Sequence, residues 1–377
     1  MPSHATTYFG DYNVGDFFYG TNHPMKPLRL KMLQDLVWAY GLQNFLNFRY
    51  PTKILRANFT KFHSADFFEK IDEKTNPVTD KYYKKFDHFF PKKIYDDCPI
   101  FTGLTEYCER YTGASVSAAK ELCKSNVQYA INWSGGLHHG KADYASGFCY
   151  TNDIVLAILE LLRVFEKVLY IDIDVHHGDG VEEAFYLSDK VFTISFHHYH
   201  NSFFPGTGAL SDTGFAAGKN FSANIPLKKG LSDESFHYIF IPIVTKIITQ
   251  FNPKAIVLQS GADSLSGDKL GVFNLSLIGH GKCIDILRQT GIPLLILGGG
   301  GYTPANVARC WTYETSLLIQ KQLDFNIPYN NYWEKYLPSN KLLFSIFDSR
   351  DKNSKKELKK LKKKILSNIK YLNLIQT

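Results

Sequence analysis

The densest chemistry in the sequence is the run Ile171-Asp172-Ile173-Asp174-Val175-His176-His177-Gly178-Asp179-Gly180. Along an extended strand side chains alternate, so Asp172, Asp174 and His176 are predicted on one face and Ile171, Ile173 and Val175 on the other. Two carboxylates and an imidazole on an otherwise apolar strand are costly to bury without a cation or hydrogen-bond partners. A divalent metal removes that cost, with Asp174 and His176 nearest the open end of the strand. A third ligand is available in Asp263, which closes Gln259-Ser260-Gly261-Ala262-Asp263 after a later apolar run. Two oxygens, one nitrogen and an open position describe a catalytic zinc centre. The oxygen-rich set also suits Fe(II). The rival reading is a polar strand end whose acids cap helices or pair with lysines, and Asp263 alone does not separate the two.

His138-His139 follows Trp133-Ser134-Gly135-Gly136-Leu137, where glycines allow tight backbone turns and let both imidazoles reach one small volume. Each imidazole needs an acceptor on its second nitrogen, and a carboxylate there raises its basicity. Asp172 and Asp179, left over from the metal set, are the available acceptors. A His-His pair by itself is weak; beside a metal strand with two spare aspartates it reads as acid–base machinery. Gly298-Gly299-Gly300-Gly301-Tyr302 contributes little packing at high entropic cost, so it fits a backbone that must approach something closely, with a phenol presented to it. No Gly-Lys-Ser/Thr follows, which argues against a phosphate loop.

These residues need elements to hold them. Five apolar runs of strand length end in glycine and polar residues: Val127 to Asn132, Val168 to Ile173, Val191 to Phe196, Ala255 to Gln259, and Pro293 to Leu297. Helical stretches are predicted between and after them: Thr105 to Lys124, Asn152 to Phe165, Ser232 to Gln250, Ser276 to Thr290 and Pro304 to Gln322. Repeated strand and helix means an α/β fold, a mainly parallel sheet with helices on both faces. Ligands in such sheets bind beyond the carboxyl ends of the strands, where nearly every His, Asp and Gly cluster falls. The first hundred residues, interrupted by Pro24, Pro27, Pro51, Pro77, Pro91 and Pro99, are expected to form packing and rim loops of the same domain, so residues 1–377 are taken as a single catalytic domain.

Composition agrees. The chain has 377 residues, 44% hydrophobic and 15% aromatic, which suits one large core and a compact enzyme. Six cysteines are scattered without a Cys-x-x-Cys pair, the pattern of reduced thiols in a nuclear or cytosolic protein. Met1-Pro2-Ser3-His4 does not begin a secretory signal, and no apolar run reaches membrane-spanning length. Net charge is +7, yet nine lysines between Lys352 and Lys370 face only Asp351 and Glu357, so the residues before Asp351 are formally neutral. The body therefore shows no nucleic-acid footprint. Leu358, Leu361, Ile365, Ile369 and Leu372 recur at helical spacing, predicting an amphipathic helix at about 353–372 with its lysines in solvent. An import signal or a surface for an acidic partner is compatible with the same run.

Taken together, His138-His139, Ala145-Ser146-Gly147-Phe148-Cys149-Tyr150, Asp172 to Gly180, Phe204-Pro205-Gly206-Thr207-Gly208, Gly261-Ala262-Asp263-Ser264 and Gly300-Gly301-Tyr302 resemble the class I histone deacetylases. His23-Pro24-Met25-Lys26-Pro27 and Tyr95 to Pro99 extend the match, which runs from about Tyr8 to Leu372. The resemblance implies an arginase/deacetylase-like fold and hydrolysis of N-acetyl-lysine. It implies Asp174, His176 and Asp263 as zinc ligands, His138 with Asp172 and His139 with Asp179 as the two acid–base pairs, and Tyr302 as the phenol that polarises the substrate carbonyl. Gly147, Phe148, Phe204, Leu270 and Gly300 would line the acetyl-lysine tunnel, and Asp97 would hold the substrate backbone at the rim. Arg29 and Cys149 would line an inner acetate-release cavity. A potassium ion would lie near Asp172, Asp174, His176, Ser195 and Phe196.

Acetylated histone tails are the implied partners, in the nucleus and also the cytoplasm, with chromatin regulation and repression as the role. No sequence-specific nucleic acid or membrane partner is expected. Gly140 and Tyr144 depart from the alanine and glutamate that relatives more often carry. A corepressor complex is implied with a degraded inositol-phosphate site: Lys26 fits and Lys269 replaces an arginine, whereas Phe18, Asn22 and Ala305 do not fit. Deacetylation of acetylpolyamines or similar small amides is the alternative within the same chemistry. A catalytically silent acetyl-lysine-binding scaffold is the alternative outside it, disfavoured by the intact set of ligands, His–Asp pairs and Tyr302. An arginase-type paired-metal site needs more acidic ligands than these motifs supply.

Overall fold

A computed structural model describes residues 6–75, 97–346 and 350–369. Tyr95, within the segment Tyr95 to Pro99, and Leu372, in the terminal helical pattern, lie outside the described residues. Eight strands form one sheet: β1 (Thr6–Phe9), β2 (Asn47–Arg49), β3 (Tyr129–Asn132), β4 (Val168–Asp172), β5 (Val191–His198), β6 (Ser222–Leu227), β7 (Ala255–Gln259) and β8 (Leu294–Leu297). Their order is β2-β1-β3-β8-β7-β4-β5-β6, and every pairing is parallel. The five predicted strands are present. The three others were missed because they are short or, in β6, because Asn224 and Pro226 interrupt the apolar run.

Ten helices accompany the sheet among the described residues: α1 (Leu28–Ala39), α2 (Arg56–Phe59), α3 (Ala65–Thr75), α4 (Leu104–Leu122), α5 (Asp153–Leu161), α6 (Asp179–Phe185), α7 (Asp233–Phe251), α8 (Leu277–Arg288), α9 (Pro304–Leu318) and α10 (Lys355–Ile369). Strand alternation sorts the core into two layers. In β7, Ile256 and Leu258 face one cluster while Ala255 and Val257 face the other, and in β8 Leu294 and Ile296 oppose Leu295 and Leu297. The first layer holds Leu33 and Val37 of α1, Phe240 and Val244 of α7, Ile284 of α8, Trp311 of α9, and Leu358 and Ile365 of α10. The second holds Ala118 and Leu122 of α4, Ile154 and Ile158 of α5, and Val181 of α6.

Register brings the strand ends into line. The four adjacent strands β3, β8, β7 and β4 end at one level, with Asn132 opposite Leu297, Leu297 opposite Gln259, and Gln259 opposite Asp172. The runs beginning at His138, Asp174, Gly261 and Gly298 start within six residues of that line.

Candidate active site

Strand β4 stops at Asp172, so Asp174 and His176 are not strand residues, as alternation had them; they sit on the bend beyond it. The bend is pinned where it leaves the sheet. Asp172 Oδ1 accepts the Asp174 N–H at 3.1 Å and Asp174 Oδ1 accepts the His176 N–H at 3.0 Å. Asp263 Oδ1 reaches across from beyond β7 to accept the Val175 N–H at 3.0 Å. Side chains two residues apart thus still converge, through capping of successive N–H groups in place of strand pleat.

The result is a compact donor set. His176 Nδ1 lies 3.1 Å from both Asp174 Oδ1 and Asp263 Oδ2, and one donor atom from each residue falls within 4.8 Å of the others. Both carboxylates are wholly buried, and the His176 side chain is buried beside them. Burial first, then the neighbouring Asp174 charge, pushes the Asp263 carboxyl up to about 7. Burial pulls His176 down, but its bonds to Asp174 and Asp263 overcome this and lift it to about 10. Three buried donors that draw a cation this strongly, with no Lys or Arg bonded to them among the described residues, fit a divalent metal. The surrounding backbone leaves no space for side chains: a Cβ on Gly300 would stand 2.0 Å from Asp263 Oδ2, and one on Gly261 would stand 2.2 Å from Asp174 Oδ2. The glycines at these two positions are therefore explained by close approach to the donor set.

His138 and His139 stack obliquely with ring centroids 3.9 Å apart. His138 Nδ1 meets Asp172 Oδ2 at 2.7 Å and His139 Nδ1 meets Asp179 Oδ1 at 2.6 Å. The pairs differ in what else holds each aspartate. Besides His138, Asp172 accepts the neutral Tyr170 hydroxyl on Oδ2 at 2.5 Å and the Asp174 N–H on Oδ1, with no Lys or Arg on it among the described residues. Asp179 Oδ2 instead takes the ammonium of Lys141 at 2.9 Å, which also reaches Glu183 at 2.8 Å. Burial lowers the affinity of His138 for a proton, yet the Asp172 and Asp174 charges outweigh it and raise the group to about 9. His139 is held down at about 3, by burial first and then by the charge on His138.

Tyr302 is 5% exposed, and burial together with the Asp263 and Asp174 charges pushes its hydroxyl well above the usual phenol range. Its ring lies edge-on to Phe148 at 5.7 Å. Phe204 is 41% exposed and packs edge-on against His139 at 4.8 Å and His176 at 6.2 Å. Gly147 and Phe148 both take positive φ, +55° and +67°, in a tight turn closed by Ser146 and Cys149. For a phenylalanine this conformation costs on the order of 1–3 kcal/mol, strain that accumulates at functional sites. A Cβ on Gly147 would meet the His139 ring at 2.4 Å and the Phe204 ring at 2.9 Å, so the turn presses directly on both. Asp97 Oδ2 accepts the Gly147 N–H at 2.8 Å, and Leu270 packs in the same cluster as Phe148 and Tyr302.

The remaining residues singled out from the sequence lie around this centre. Arg29 is buried and donates to the Gly301 and Gly299 carbonyls, each at 2.6 Å, with its plane 5.2 Å above the Trp311 ring. Its Nε has no partner among the described residues. Cys149 is buried, its Sγ bonded to the Gly147 carbonyl at 3.3 Å. Ser195 pairs with Asp172 in register and its Oγ accepts the Gly178 N–H at 3.3 Å, whereas the Phe196 ring points into the core against Phe240.

Several supporting residues were missed. Gln259 Nε2 donates to Asp174 Oδ2 at 2.9 Å while its Oε1 accepts the Gly261 N–H at 2.8 Å, bridging the two ligand loops. Asp153 accepts the Gly136 and Leu137 N–H groups and the Ser115 hydroxyl, anchoring the His138 loop. Asp268 takes the Leu270 and Gly271 N–H groups on one oxygen and those of Tyr302 and Thr303 on the other. A polar residue ending an apolar strand is the signal for Gln259; Asn-Asp at a helix start is the signal for Asp153. Asp268 carries no sequence signal. His280, Cys310 and Glu314 form a second buried cluster, but His280 already bonds Glu314 at 2.6 Å and the Gly261 carbonyl at 3.0 Å, so its nitrogens are satisfied without a metal.

A family model for the histone deacetylase domain matches residues 23–318. The chain is 48% identical over 373 residues to Type-1 histone deacetylase 1 of Dictyostelium discoideum, which covers 99% of this chain and 74% of that protein. It is 47% identical over 365 residues to Histone deacetylase 1 of Homo sapiens, with 97% and 75% covered. Histone deacetylase HDAC1 of Drosophila melanogaster is 46% identical over 375 residues, with 99% and 71% covered.

Proposed function

The chain belongs to the histone deacetylase family, as a class I member with the arginase/deacetylase fold, and from that premise we infer how its site works. It is a metal-dependent hydrolase that removes acetyl groups from protein lysines and acts in chromatin regulation. The finer assignments are our reading: zinc as the metal, with Fe(II) as a second occupant of the same donors, histone tails as the main substrates, and one catalytic domain across 1–377 working in the nucleus. The observation that carries the reading is the convergence of Asp174, His176 and Asp263 beside two separate His–Asp pairs.

Asp174, His176 and Asp263 would hold the metal. Bound there, it supplies a Lewis acid for the acetyl carbonyl and lowers the pKa of water. His139, with Nδ1 committed to Asp179, accepts the proton of the attacking water at Nε2 and returns one to the departing lysine amine. Lys141 supports that role by sharing Asp179 and so fixing the carboxylate that orients the His139 ring. His138, paired with Asp172, stabilises the negative charge that develops on the carbonyl oxygen. The Tyr302 hydroxyl donates to that oxygen. Phe148 and Phe204 flank the lysine stem, with Gly147, Leu270 and Gly300 completing the tunnel and Asp97 orienting the substrate backbone at its mouth. Arg29 and Cys149 are assigned to acetate release, a role that suits the unpartnered Arg29 Nε. Asp172, Asp174, His176, Ser195 and Phe196 are assigned to a potassium ion, Phe196 through its backbone. Corepressor assembly through an inositol phosphate is weakened, because the Lys26 ammonium is already spent on the Gly20 and Thr21 carbonyls and Phe18, Asn22 and Ala305 carry no charge.

Metal-reconstituted protein is expected to hydrolyse acetylated histone-tail peptides and to stop when a hydroxamate chelator is added. Turnover of acetylspermidine without turnover of peptides would replace this reading with a small-amide deacetylase.

A further inference from the structure

Helix α10 is a fixed platform. Leu358, Ile365 and Ile369 are buried, and the helix packs on α7. Its N-terminal end is tied to the segment following β6: the Lys228 N–H donates to Asn353 Oδ1 at 2.8 Å, and the Lys352 N–H donates to the Lys229 carbonyl at 3.1 Å. Strand β6 is parallel to β4 and β5, so this junction lies at the same end of the sheet as the metal donors.

The exposed side of the platform is almost all positive. Lys356, Lys359, Lys360, Lys363 and Lys364 are exposed and have no acidic partner among the described residues. Nearby acids are already bonded: Glu234 to Lys355, Glu357 to Lys228 and Ser354, and Asp351 to Ser232. A solvated helix face ordinarily mixes charge signs, whereas here 355/359, 356/360, 359/363 and 360/364 are like-charged i, i+4 pairs that repel. Such a face is relieved by a polyanion. Successive lysines four residues apart rise roughly 6 Å along the axis, close to the span of about 6.8 Å between every second phosphate of one duplex strand.

We propose that the lysine face of α10 docks on the phosphate backbone of duplex DNA, without sequence preference, and so holds the active-site end of the enzyme beside DNA-borne acetyl-lysine substrates. The proposal rests on the protein-substrate reading above. A helix held by three buried residues offers its lysines in a fixed row, which suits a rigid duplex better than an extended acidic peptide.

The test is fluorescence anisotropy of the metal-loaded full chain on a labelled mixed-sequence duplex of roughly 30 base pairs, between about 50 and 200 mM salt. With four or five contacts, log K is expected to fall against log salt with a slope near −4, an affinity loss of about 10²-fold over that range. The triple variant K356Q/K360Q/K363Q is expected to bind more weakly and to flatten the slope by about 2.7, roughly 0.9 per lysine removed. Its turnover on free acetyl-peptide should be unchanged, which separates failure of docking from failure of the catalytic reading. Absence of duplex binding at the lowest salt, or an unaltered slope in the triple variant, overturns the proposal. Tighter binding to a labelled oligo-glutamate peptide than to the duplex also overturns it, in favour of an acidic protein partner.

Discussion

Two histidines side by side, each on an aspartate, are made chemically unequal by their surroundings. The Asp172 and Asp174 charges outweigh burial at His138, while burial and then the charge on His138 hold His139 down, and Lys141 shares the Asp179 that orients it. Gly140 has little room for a side chain: a Cβ there would lie 3.0 Å from the Asn152 nitrogen. In the proposed mechanism Tyr302 is the further donor to the reacting carbonyl. Loss of one such donor typically costs on the order of 10²–10³ in turnover. Tyr302→Phe is therefore expected to fold and bind metal normally, with kcat reduced by that order; steady-state kinetics showing unchanged kcat would remove Tyr302 from the mechanism.

At the level of elements, the site depends on loops that are sewn to one another rather than on the strands alone. His63, in the turn between α2 and α3, ties its own segment to both ends of the 141–152 segment, which follows His139 and carries Phe148. Its Nδ1 donates to the Lys141 carbonyl and its Nε2 accepts the Asn152 N–H, both at 2.9 Å. That pattern requires a neutral ring, and burial holds the group down at about 4, against about 6.5 in an unfolded chain. Below about pH 6.5 the unfolded state binds a proton that the folded state refuses, so the stability contribution is complete above that pH and is lost as pH falls toward 4. The loss amounts to roughly 3 kcal/mol. Urea midpoints measured between pH 7 and pH 5 should fall more steeply for the native protein than for His63→Gln; parallel curves would exclude this linkage.

For the whole molecule, the metal is expected to be a structural link as well as a reagent, because its donors come from the ends of β4 and β7 and are otherwise two buried carboxylates in contact. Ligand present at one hundred times its Kd adds about 2.7 kcal/mol to stability. Chelated protein should therefore melt a few degrees lower in calorimetry and recover on zinc addition, independently of any activity. An unchanged Tm after verified metal removal would mean that the donors are stable without it. No helix among the described residues is long and apolar enough to cross a membrane.

The sequence by itself determined five of the eight strands and the donor residues that follow them. Apolar runs closing in Asp, His and Gly identify buried parallel strands with a candidate site at their carboxyl ends, because run length and the cost of burying bare charge are local properties, whereas the alternation expected for Asp174 and His176 gave way to a capped bend. The helical spacing of Leu358, Leu361, Ile365 and Ile369 likewise anticipated α10, since its apolar stripe repeats within each turn. Only the tertiary structure decided that Asp263 joins Asp174 and His176, that Gln259 and Asp268 lock the loops, and that Lys141 sits on Asp179 while Asp172 has no such partner. Those facts depend on the register of β4, β7, β8 and β3, strands far apart in the chain, and register is set by packing across the whole core.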